Sequence, residues 1–348
     1  MDDIRVAWVN QGCSTEDPWT LAQYLARDRV ERTFAGRVTT SFVEKVELGD
    51  PVVEVIDRLV DTGHALVIAP SLPLAPDVLR AAAAHPHVSF EQARGSTRRV
   101  NLSTYTGTHE QSAYLTGLAA GAVSRSGRVA YVAPVFELET LRILNGFALG
   151  VLATRPDSVV LASWTDTWWD PAGERDAAER LVASGADVIA TGCTSPATGE
   201  LALELDLPWC AQDADRSDEF GPVWVTAPRI LPGRYHCRRV ADVLNGTWRS
   251  EAYVGGLADG FTDIAPLGLR VPPEVRRGVM EARDRMLAGE EVPDLGASFG
   301  TASPTRPERD GATDAWSRST HARNVEVVVP PAPGSPTDDA PDPSGAVR

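Results

Sequence analysis

Tryptophans and acidic residues follow several apolar runs of this chain, where they could stack on a flat polar molecule and hydrogen-bond to it. Trp168 and Trp169 come shortly after a run that ends at Trp164, and Trp19 follows the loop after the first apolar run. Two facing aromatic planes would sandwich a planar base, and such stacking is worth roughly 1–3 kcal/mol per base. Each tryptophan could instead be a buried anchor for the helix that follows it.

Two carboxylates at strand ends are candidate hydrogen-bond acceptors. Asp213 lies just after a predicted strand at 208–211, and an ionised acceptor makes a stronger hydrogen bond in a closed, dry cleft. The alternative is that Asp213 caps a helix, a role that Asp215 could share. Glu44 follows the second predicted strand and could accept a bond from an exocyclic amine, although Lys45 could equally pair with it at the surface.

Four further polar residues stand at turns, strand ends or helix starts. Glu139 lies in the first turn of a predicted helix, and Asp259 lies in the turn before Gly260. An acid at a helix start also interacts favourably with the helix dipole, so a ligand is not needed to explain Glu139. Ser71 and Thr194 follow strands and could donate hydroxyl hydrogen bonds to a ligand, or could cap the helices that follow them.

A thiol is the remaining candidate for chemistry. Cys193 lies in a turn near the helix that begins at Pro196, where a lowered pKa would make it a nucleophile. No histidine is an obvious base partner by position, and the chain has no phosphate-binding glycine loop, Gly-x-Ser-x-Gly elbow or His-Glu-x-x-His motif. The four cysteines also lack Cys-x-x-Cys spacing. We therefore expect binding rather than catalysis, and no metal or cofactor.

The composition excludes several kinds of partner. The 348 residues include 48 acidic and 33 basic side chains, a formal net charge of -15, which repels nucleic-acid phosphates and anionic lipids. Acidic residues follow Met1 directly, and no run reaches the roughly 20 apolar residues that a membrane-spanning helix needs. We expect no nucleic acid, no membrane span and, for the sequence as it stands, a cytoplasmic location.

Short apolar runs alternate with helical patterns, an arrangement that gives parallel sheets covered on both faces. The first part of the chain predicts strands at 4–9, 38–43, 65–69 and 88–91 and helices at 18–29, 50–62 and 75–85. The second part predicts helices at 110–123, 139–152, 171–184 and 196–205 and strands at 128–132, 158–164, 188–190 and 208–211. Because ligands bind at the carboxyl ends of parallel strands, we expect two α/β lobes whose facing strand ends form one cleft.

The last part of the chain has a different composition. Residues 304–348 are rich in Pro, Ser, Thr, Asp and Ala, a composition that buries too little apolar surface to offset the entropy lost on ordering. We therefore predict that residues 291–348 are mostly disordered. The short apolar run at 325–329 is the exception, since it could add an edge strand to a sheet or serve as a docking segment.

Six runs in collinear order resemble the basic membrane protein family of substrate-binding proteins. They are EQSAYLTGLAAG (110–121), LRILNGFALG (141–150), WWDP (168–171), GADVI (185–189), NGTW (245–248) and DIAPLG (263–268). The resemblance covers residues 4–289. It implies a type I periplasmic-binding-protein fold, in which two Rossmann-like lobes joined by three crossovers close on a ligand by a hinge motion.

The resemblance also implies a ligand, a partner and an organisation of the chain. Family members commonly bind purine nucleosides or bases for an ATP-driven importer, whose permease is then a partner, and they are usually extracytoplasmic lipoproteins. Asp213 falls where the family has a carboxylate that accepts hydrogen bonds from a sugar hydroxyl or a ring nitrogen. We expect crossovers near 103–106, 227–231 and 253–256, with lobe 1 formed by 1–104 plus 230–254 and lobe 2 by 105–229 plus 255–290.

The sequence departs from the family pattern at one turn near the expected cleft. Relatives of this branch have His-Thr-Asp-Ser-Pro where this chain has GCTSP (192–196), so an imidazole and a carboxylate are replaced. Two other functions therefore stand beside purine binding. One is a cytosolic ligand sensor or regulator, and the other is a pathway enzyme that reuses the cleft with Cys193.

Overall fold

The fold is seen in a computed structural model that describes residues 3–290 and 325–327. The strands are β1 Ile4–Val9, β2 Val38–Val43, β3 His64–Ala69, β4 Ser89–Ala93, β5 Leu102–Gly107, β6 Arg128–Ala133, β7 Val159–Trp164, β8 Val188–Thr191, β9 Trp209–Cys210, β10 Trp224–Thr226, β11 Pro228–Ile230, β12 Ala252–Gly255, β13 Thr262–Ile264 and β14 Val325–Val327. The helices are α1 Pro18–Thr33, α2 Asp50–Asp61, α3 Ala75–Ala84, α4 His109–Val123, α5 Leu138–Thr154, α6 Pro171–Ala183, α7 Ala197–Leu205, α8 Ser217–Phe220, α9 Gly233–Leu244 and α10 Pro273–Leu287, with a 3₁₀ turn at Leu72–Leu74.

Helix α1 begins where the sequence predicts a helix start. The carboxylate of Asp17 accepts hydrogen bonds from the backbone nitrogens of Trp19 and Thr20 at 3.3 and 3.1 Å, and Pro18 occupies the first helical position. The cap satisfies backbone N–H groups that have no partner inside the helix. Proline is tolerated at the first helical position because an N–H group there would have no acceptor within the helix. The same cap positions Trp19 at the end of the loop that follows β1.

The two main sheets are parallel, as the sequence predicts, and each has six strands. Sheet 1 has the order β12-β5-β4-β3-β1-β2, and sheet 2 has the order β10-β9-β8-β6-β7-β14. Each sheet has an apolar cluster on both faces, because successive residues of a strand point to opposite sides. Along β1, Val6 and Trp8 pack in one cluster, whereas Ala7 and Val9 pack in the other. We refer to the parts of the protein around sheets 1 and 2 as lobe 1 and lobe 2.

The chain passes between the lobes three times. It leaves sheet 1 after β5, returns to it through β11 and α9, and leaves again after β12 towards α10, whose apolar side chains pack in a core cluster of lobe 2. Strands β11 and β13 form a separate antiparallel pair that was not predicted. The exact lobe boundaries given above remain predictions.

The apolar run at 325–329 contains a strand, which was one of its two predicted roles. Val325 is paired with Val160 in parallel register, so that β14 covers the edge of sheet 2 beside β7. Pairing satisfies backbone groups that an edge strand otherwise leaves open. The predicted disorder of the surrounding tail concerns residues that lie outside those described.

Helices α4 and α5 pack unusually closely through glycines. A Cβ atom built on Gly117 would lie 2.0 Å from the carbonyl oxygen of Phe147, and one on Gly150 would lie 2.1 Å from the carbonyl oxygen of Tyr114. Neither backbone contact leaves room for a side chain. These glycines belong to the runs at 110–121 and 141–150, so helix packing gives those runs a physical basis.

Candidate functional site

A cavity of about 560 Å³ lies between the carboxyl ends of the two sheets. Its walls come from the segments that follow β1, β3, β4 and β5 in sheet 1 and β6, β7, β8 and β9 in sheet 2. Seven of the predicted site residues line it: Trp19, Ser71, Glu139, Trp168, Trp169, Thr194 and Asp213. Such pockets, largely apolar with a few placed polar groups, are typical of small-molecule sites.

The three tryptophans contribute to the wall from both lobes. Trp19 is half-buried and its indole Nε1 donates to the carbonyl oxygen of Pro70 at 2.6 Å, which fixes the ring orientation. Trp168 is half-buried, whereas Trp169 is 44% exposed at the cavity rim. The anchoring role and the cavity role therefore coexist in Trp19, because its polar edge is bonded while its side chain still lines the cleft.

The two predicted hydroxyl donors also lie in the wall, with their hydroxyl groups already bonded. Ser71 Oγ donates to Oε1 of Gln11 at 3.2 Å, and Thr194 Oγ1 donates to the carbonyl oxygen of Trp168 at 3.0 Å. The Thr194 bond joins the turn after β8 to the loop after β7. Thr194 therefore positions the segment that carries the tryptophan pair.

Glu44 and Asp259 do not line the cavity, and the expectation that both would reach it is corrected here. Glu44 accepts from the backbone nitrogen of Ser14 at 2.5 Å, and Asp259 accepts from the backbone nitrogen of Gly256 at 2.9 Å. Both carboxylates therefore stabilise loops. Lys45 pairs with Glu16 at 3.0 Å.

Asp213 is the buried carboxyl group of the cavity. Its backbone adopts the left-handed conformation with φ +60°, and the amide of Gln212 donates to its Oδ1 at 2.7 Å. The pKa of Asp213 is raised to about 7, chiefly by burial and also by the charge of Asp17, and the hydrogen bond from Gln212 partly opposes this rise. A ligand donor that hydrogen-bonds to Asp213 would therefore favour its charged form.

Arg94 is a cavity residue that the sequence reasoning missed. It directly follows β4, has φ +58°, and donates to Oε1 of Glu137 at 2.5 Å. Its guanidinium also pairs with Glu139 and lies 5.8 Å from the ring centre of Trp168. Burial raises the pKa of Glu139, and Arg94 opposes that rise. No motif surrounds Arg94 in the sequence, so proximity to Glu137 and Glu139 could be recognised only in the folded protein.

His109 is a second residue of the wall that the sequence analysis did not single out. Its Nε2 lies 3.6 Å from Oε1 of Glu139. The pKa of His109 is lowered to about 3, chiefly by burial and also by the charge of Arg94. The imidazole is therefore neutral, and its contact with Glu139 is not an ion pair.

Cys193 does not have the low pKa that its position near a helix start suggested. The side chain is buried and does not line the cavity. The pKa of the thiol is raised to about 12, chiefly by burial and also by the charge of Glu174, and these effects outweigh the hydrogen bonds with Thr165 and Thr191, which lower it. A nucleophilic role for Cys193 is correspondingly disfavoured.

Two features of the described part of the chain bear on the partners of the protein. Within residues 3–290 and 325–327, no group of three or more His, Cys, Asp or Glu side chains is placed to hold a metal ion. Over the same residues, every helix is too short or too polar to cross a bilayer. The predicted cytoplasmic location stays a prediction.

Two α/β lobes that enclose a small-molecule cavity define a two-lobed ligand-binding protein. The family model described as ABC transporter substrate-binding protein, PnrA-like, matches residues 4–212. This chain belongs to that family, which confirms the resemblance drawn from the sequence. Membership implies a small-molecule ligand and a transporter partner, and such proteins typically act outside the cytoplasm.

Comparisons with individual proteins agree with this assignment. A purine-binding protein of Brucella abortus is 28% identical over 295 residues, which cover 85% of this chain and 84% of that protein. A putative ABC transporter glucose-binding protein of Haloferax volcanii is 25% identical over 298 residues, which cover 86% of this chain and 76% of that protein.

Among solved structures, the fold is shared with a solute-binding protein of an ABC transporter system from Conexibacter woesei. That structure has a TM-score of 0.70 and 20% identity, with 84% of this chain and 99% of that chain covered. The structure of a transcriptional activator of the comK gene from Bacillus halodurans has a TM-score of 0.74 and 16% identity, with 83% of this chain and 99% of that chain covered. At these identities the similarity establishes the fold alone.

Proposed function

We propose that this protein binds a purine nucleoside or nucleobase between its lobes for delivery to an ABC transporter. The observation that carries the proposal is the cavity of about 560 Å³, which combines three tryptophans with a buried carboxyl group. Aromatic faces suit a planar base, and stacking contributes roughly 1–3 kcal/mol per base. The relative of Brucella abortus that is named a purine-binding protein supports the same ligand class.

The predicted lobe boundaries, 1–104 plus 230–254 and 105–229 plus 255–290, suit a hinged mechanism. Trp19 and Ser71 reach the cavity from segments that follow strands of sheet 1, whereas Trp168 and Asp213 reach it from segments that follow strands of sheet 2. A ligand can favour a closed state only if it interacts more strongly with that state than with the open one. Contacts to both lobes meet this condition, so ligand binding would close the cleft.

The two other functions weighed from the sequence have less support. An enzyme that uses Cys193 would need an accessible thiolate, and this thiol is buried with a raised pKa. A cytosolic sensor would bind its ligand in the same cleft but would not deliver it to a transporter. The family assignment favours a protein that works with a transporter.

The ligand is tested by isothermal titration calorimetry with adenosine, guanosine, inosine, guanine and D-glucose. We expect binding of at least one purine, and about tenfold or greater loss of affinity in Trp168→Ala, as stacking energies imply. Leu269→Ala is the matched control, because Leu269 is 91% exposed and lies outside the cavity. Binding of glucose without any purine would replace the proposed ligand class.

A further inference from the structure

Strand β7 would form the edge of sheet 2 if β14 were absent. Its sequence, VVLASW, contains no charged residue and no proline, and all of its residues except Val159 are buried. Its pairing with β6 continues from Val159 to Trp164 without a register shift, so no bulge bends the strand away from a neighbour. Proteins protect a free strand edge with charges, prolines or bulges, because an unprotected apolar edge pairs with another chain. Strand β7 has none of these features.

Strand β2, at the corresponding end of sheet 1, has the opposite character. Among the described strands, none lies beyond it in the sheet. Its central residues are Thr39, Thr40 and Ser41, and each residue of the strand is at least partly exposed. Water can therefore satisfy the free edge of β2, whereas the buried, apolar β7 needs a cover made of protein.

The cover is β14, which comes from the C-terminal part of the chain. Residues 325–327 pair with residues 160–162 in parallel register, and Val325 packs against an apolar cluster of lobe 2. A carboxylate oxygen of Glu326 also lies 3.8 Å from a guanidinium nitrogen of Arg128. Both side chains of that ion pair are well exposed, so it contributes little. The attachment of β14 therefore depends on backbone pairing and on the packing of Val325.

This cover is small and lies far along the chain from the rest of lobe 2. It pairs with half of β7, and residues 291–324 stand between it and the segment that contains α10. Because β14 belongs to the same chain, its effective concentration at the edge of β7 does not depend on the protein concentration. A short peripheral strand of this kind can separate from the sheet without unfolding either lobe.

A second copy of this chain carries the surface that best fits an uncovered β7. Two β7 strands related by a two-fold axis run antiparallel, so each can satisfy the backbone groups that the other leaves open. Both strands lack charged residues, so no like charges would meet along the new pair. The same residues would also bring apolar side chains together on both faces of the joined sheet.

We propose that the edge of β7 is a self-association surface that Val325–Val327 covers within the same chain, and that a second copy pairs with β7 when this cover is displaced. The covering strand keeps the protein monomeric. This role does not depend on the ligand proposed above.

The first experiment displaces the cover in the full chain. Val325→Asp places a charge against the apolar cluster, which is strongly unfavourable for the attached state of β14. Sedimentation velocity from micromolar to near-millimolar protein measures association, and we expect a monomeric parent and a variant that associates at least about tenfold more tightly. Val325→Ala removes less packing, so it should shift the equilibrium less but in the same direction, and it replaces the aspartate variant if circular dichroism shows that variant unfolded. Identical masses for parent and folded variant at every concentration would overturn the proposal.

The second experiment supplies the cover as a separate molecule. A synthetic peptide of residues 321–331 is added in large excess to the Val325→Asp protein. We expect the native peptide to return the protein to the mass of the parent, and the same peptide with Val325→Asp to have no effect. Oligomers that the native peptide does not dissociate would arise through another surface and would also overturn the proposal.

Two control variants separate exposure of the edge from other effects. Val347→Asp makes the same substitution in the C-terminal part of the chain but outside β14. Gly117→Ala disturbs the packing of α4 against α5 and leaves β14 unchanged. We expect both to sediment like the parent. If either associates as strongly as Val325→Asp, the added charge or the loss of stability is the cause, and the proposal fails.

Discussion

The guanidinium of Arg94 and the carboxylate of Glu137 are joined by a 2.5 Å hydrogen bond that links lobe 1 to lobe 2. Arg94 follows β4 of sheet 1, and Glu137 is the N-cap of α5, with Thr140 completing its capping box. Arg94 also pairs with Glu139 in the first turn of the same helix. The guanidinium of Arg94 therefore neutralises two carboxylates at the N-terminus of α5 and connects the two lobes across the cleft.

Replacement of Arg94 by glutamine is expected to lower the free energy of unfolding by about 2–3 kcal/mol, because two partly buried carboxylates lose their cation. Urea denaturation followed by circular dichroism measures the change. Arg98→Gln is the control, since Arg98 lies in the same loop and is exposed. If both variants unfold at the same urea concentration, the link between the lobes does not stabilise the protein.

Asp213 predicts a specific pH dependence. Its pKa is about 7 in the folded protein against an ordinary 3.8, so between these values the folded state binds more protons than the unfolded state. Stability therefore falls as pH rises through this window, and above it the buried charge costs on the order of 2–4 kcal/mol. Asp213→Asn should melt at a higher temperature than the parent at about pH 8 and at a similar temperature at about pH 4.

The asparagine variant isolates the charge, because asparagine tolerates the left-handed backbone found at this position. Thermal melts of parent and variant across the same pH series give the difference directly. A constant difference in melting temperature at every pH would contradict the raised pKa of Asp213.

Gly117→Ala is expected to destabilise the protein by about 3 kcal/mol or more, since overpacking forces backbone shifts. The added methyl group would lie 2.0 Å from the carbonyl oxygen of Phe147, and α4 and α5 would have to separate. Gly278→Ala is the matched control in α10, where nothing lies within 4 Å of the new atom. That change should stabilise the protein by roughly 0.5–1 kcal/mol through helix propensity. Equal urea midpoints for the two variants would contradict the close packing.

Alkylation distinguishes the cysteines by their environment. Iodoacetamide at about pH 8 should modify Cys13 and Cys237, which are half-buried, before Cys193 and Cys210, which are buried with pKa values of about 12. Peptide mass spectrometry over a time course gives the order of modification, and unfolding in urea should make all four react alike. Modification of Cys193 as fast as Cys13 would restore a reactive thiol to consideration.

The sequence located much of the cavity because strand ends are a local feature. Trp168, Trp169 and Asp213 all follow apolar runs, and the carboxyl ends of parallel strands meet at one edge of a sheet. Glu44 and Asp259 also stand in strand-end or turn positions, but their carboxylates bond to nearby backbone nitrogens. Position along the chain does not reveal which partner a carboxylate takes, so the same rule selected residues of the cavity wall in the first group and residues outside it in the second.

The sequence by itself determined the two α/β lobes, the start of α1, the family and the edge of the sheets that carries the cavity, because these depend on periodicity and on neighbouring residues. The tertiary structure alone decided that Arg94 meets Glu137 and that the amide oxygens of Asn10 and Gln212 are buried without a hydrogen-bond partner among the described residues. These relationships join residues far apart in the chain, and the pKa of Asp213 depends on burial and on charges from both lobes. Long-range contacts and burial arise only when the chain has folded, so no local pattern encodes them.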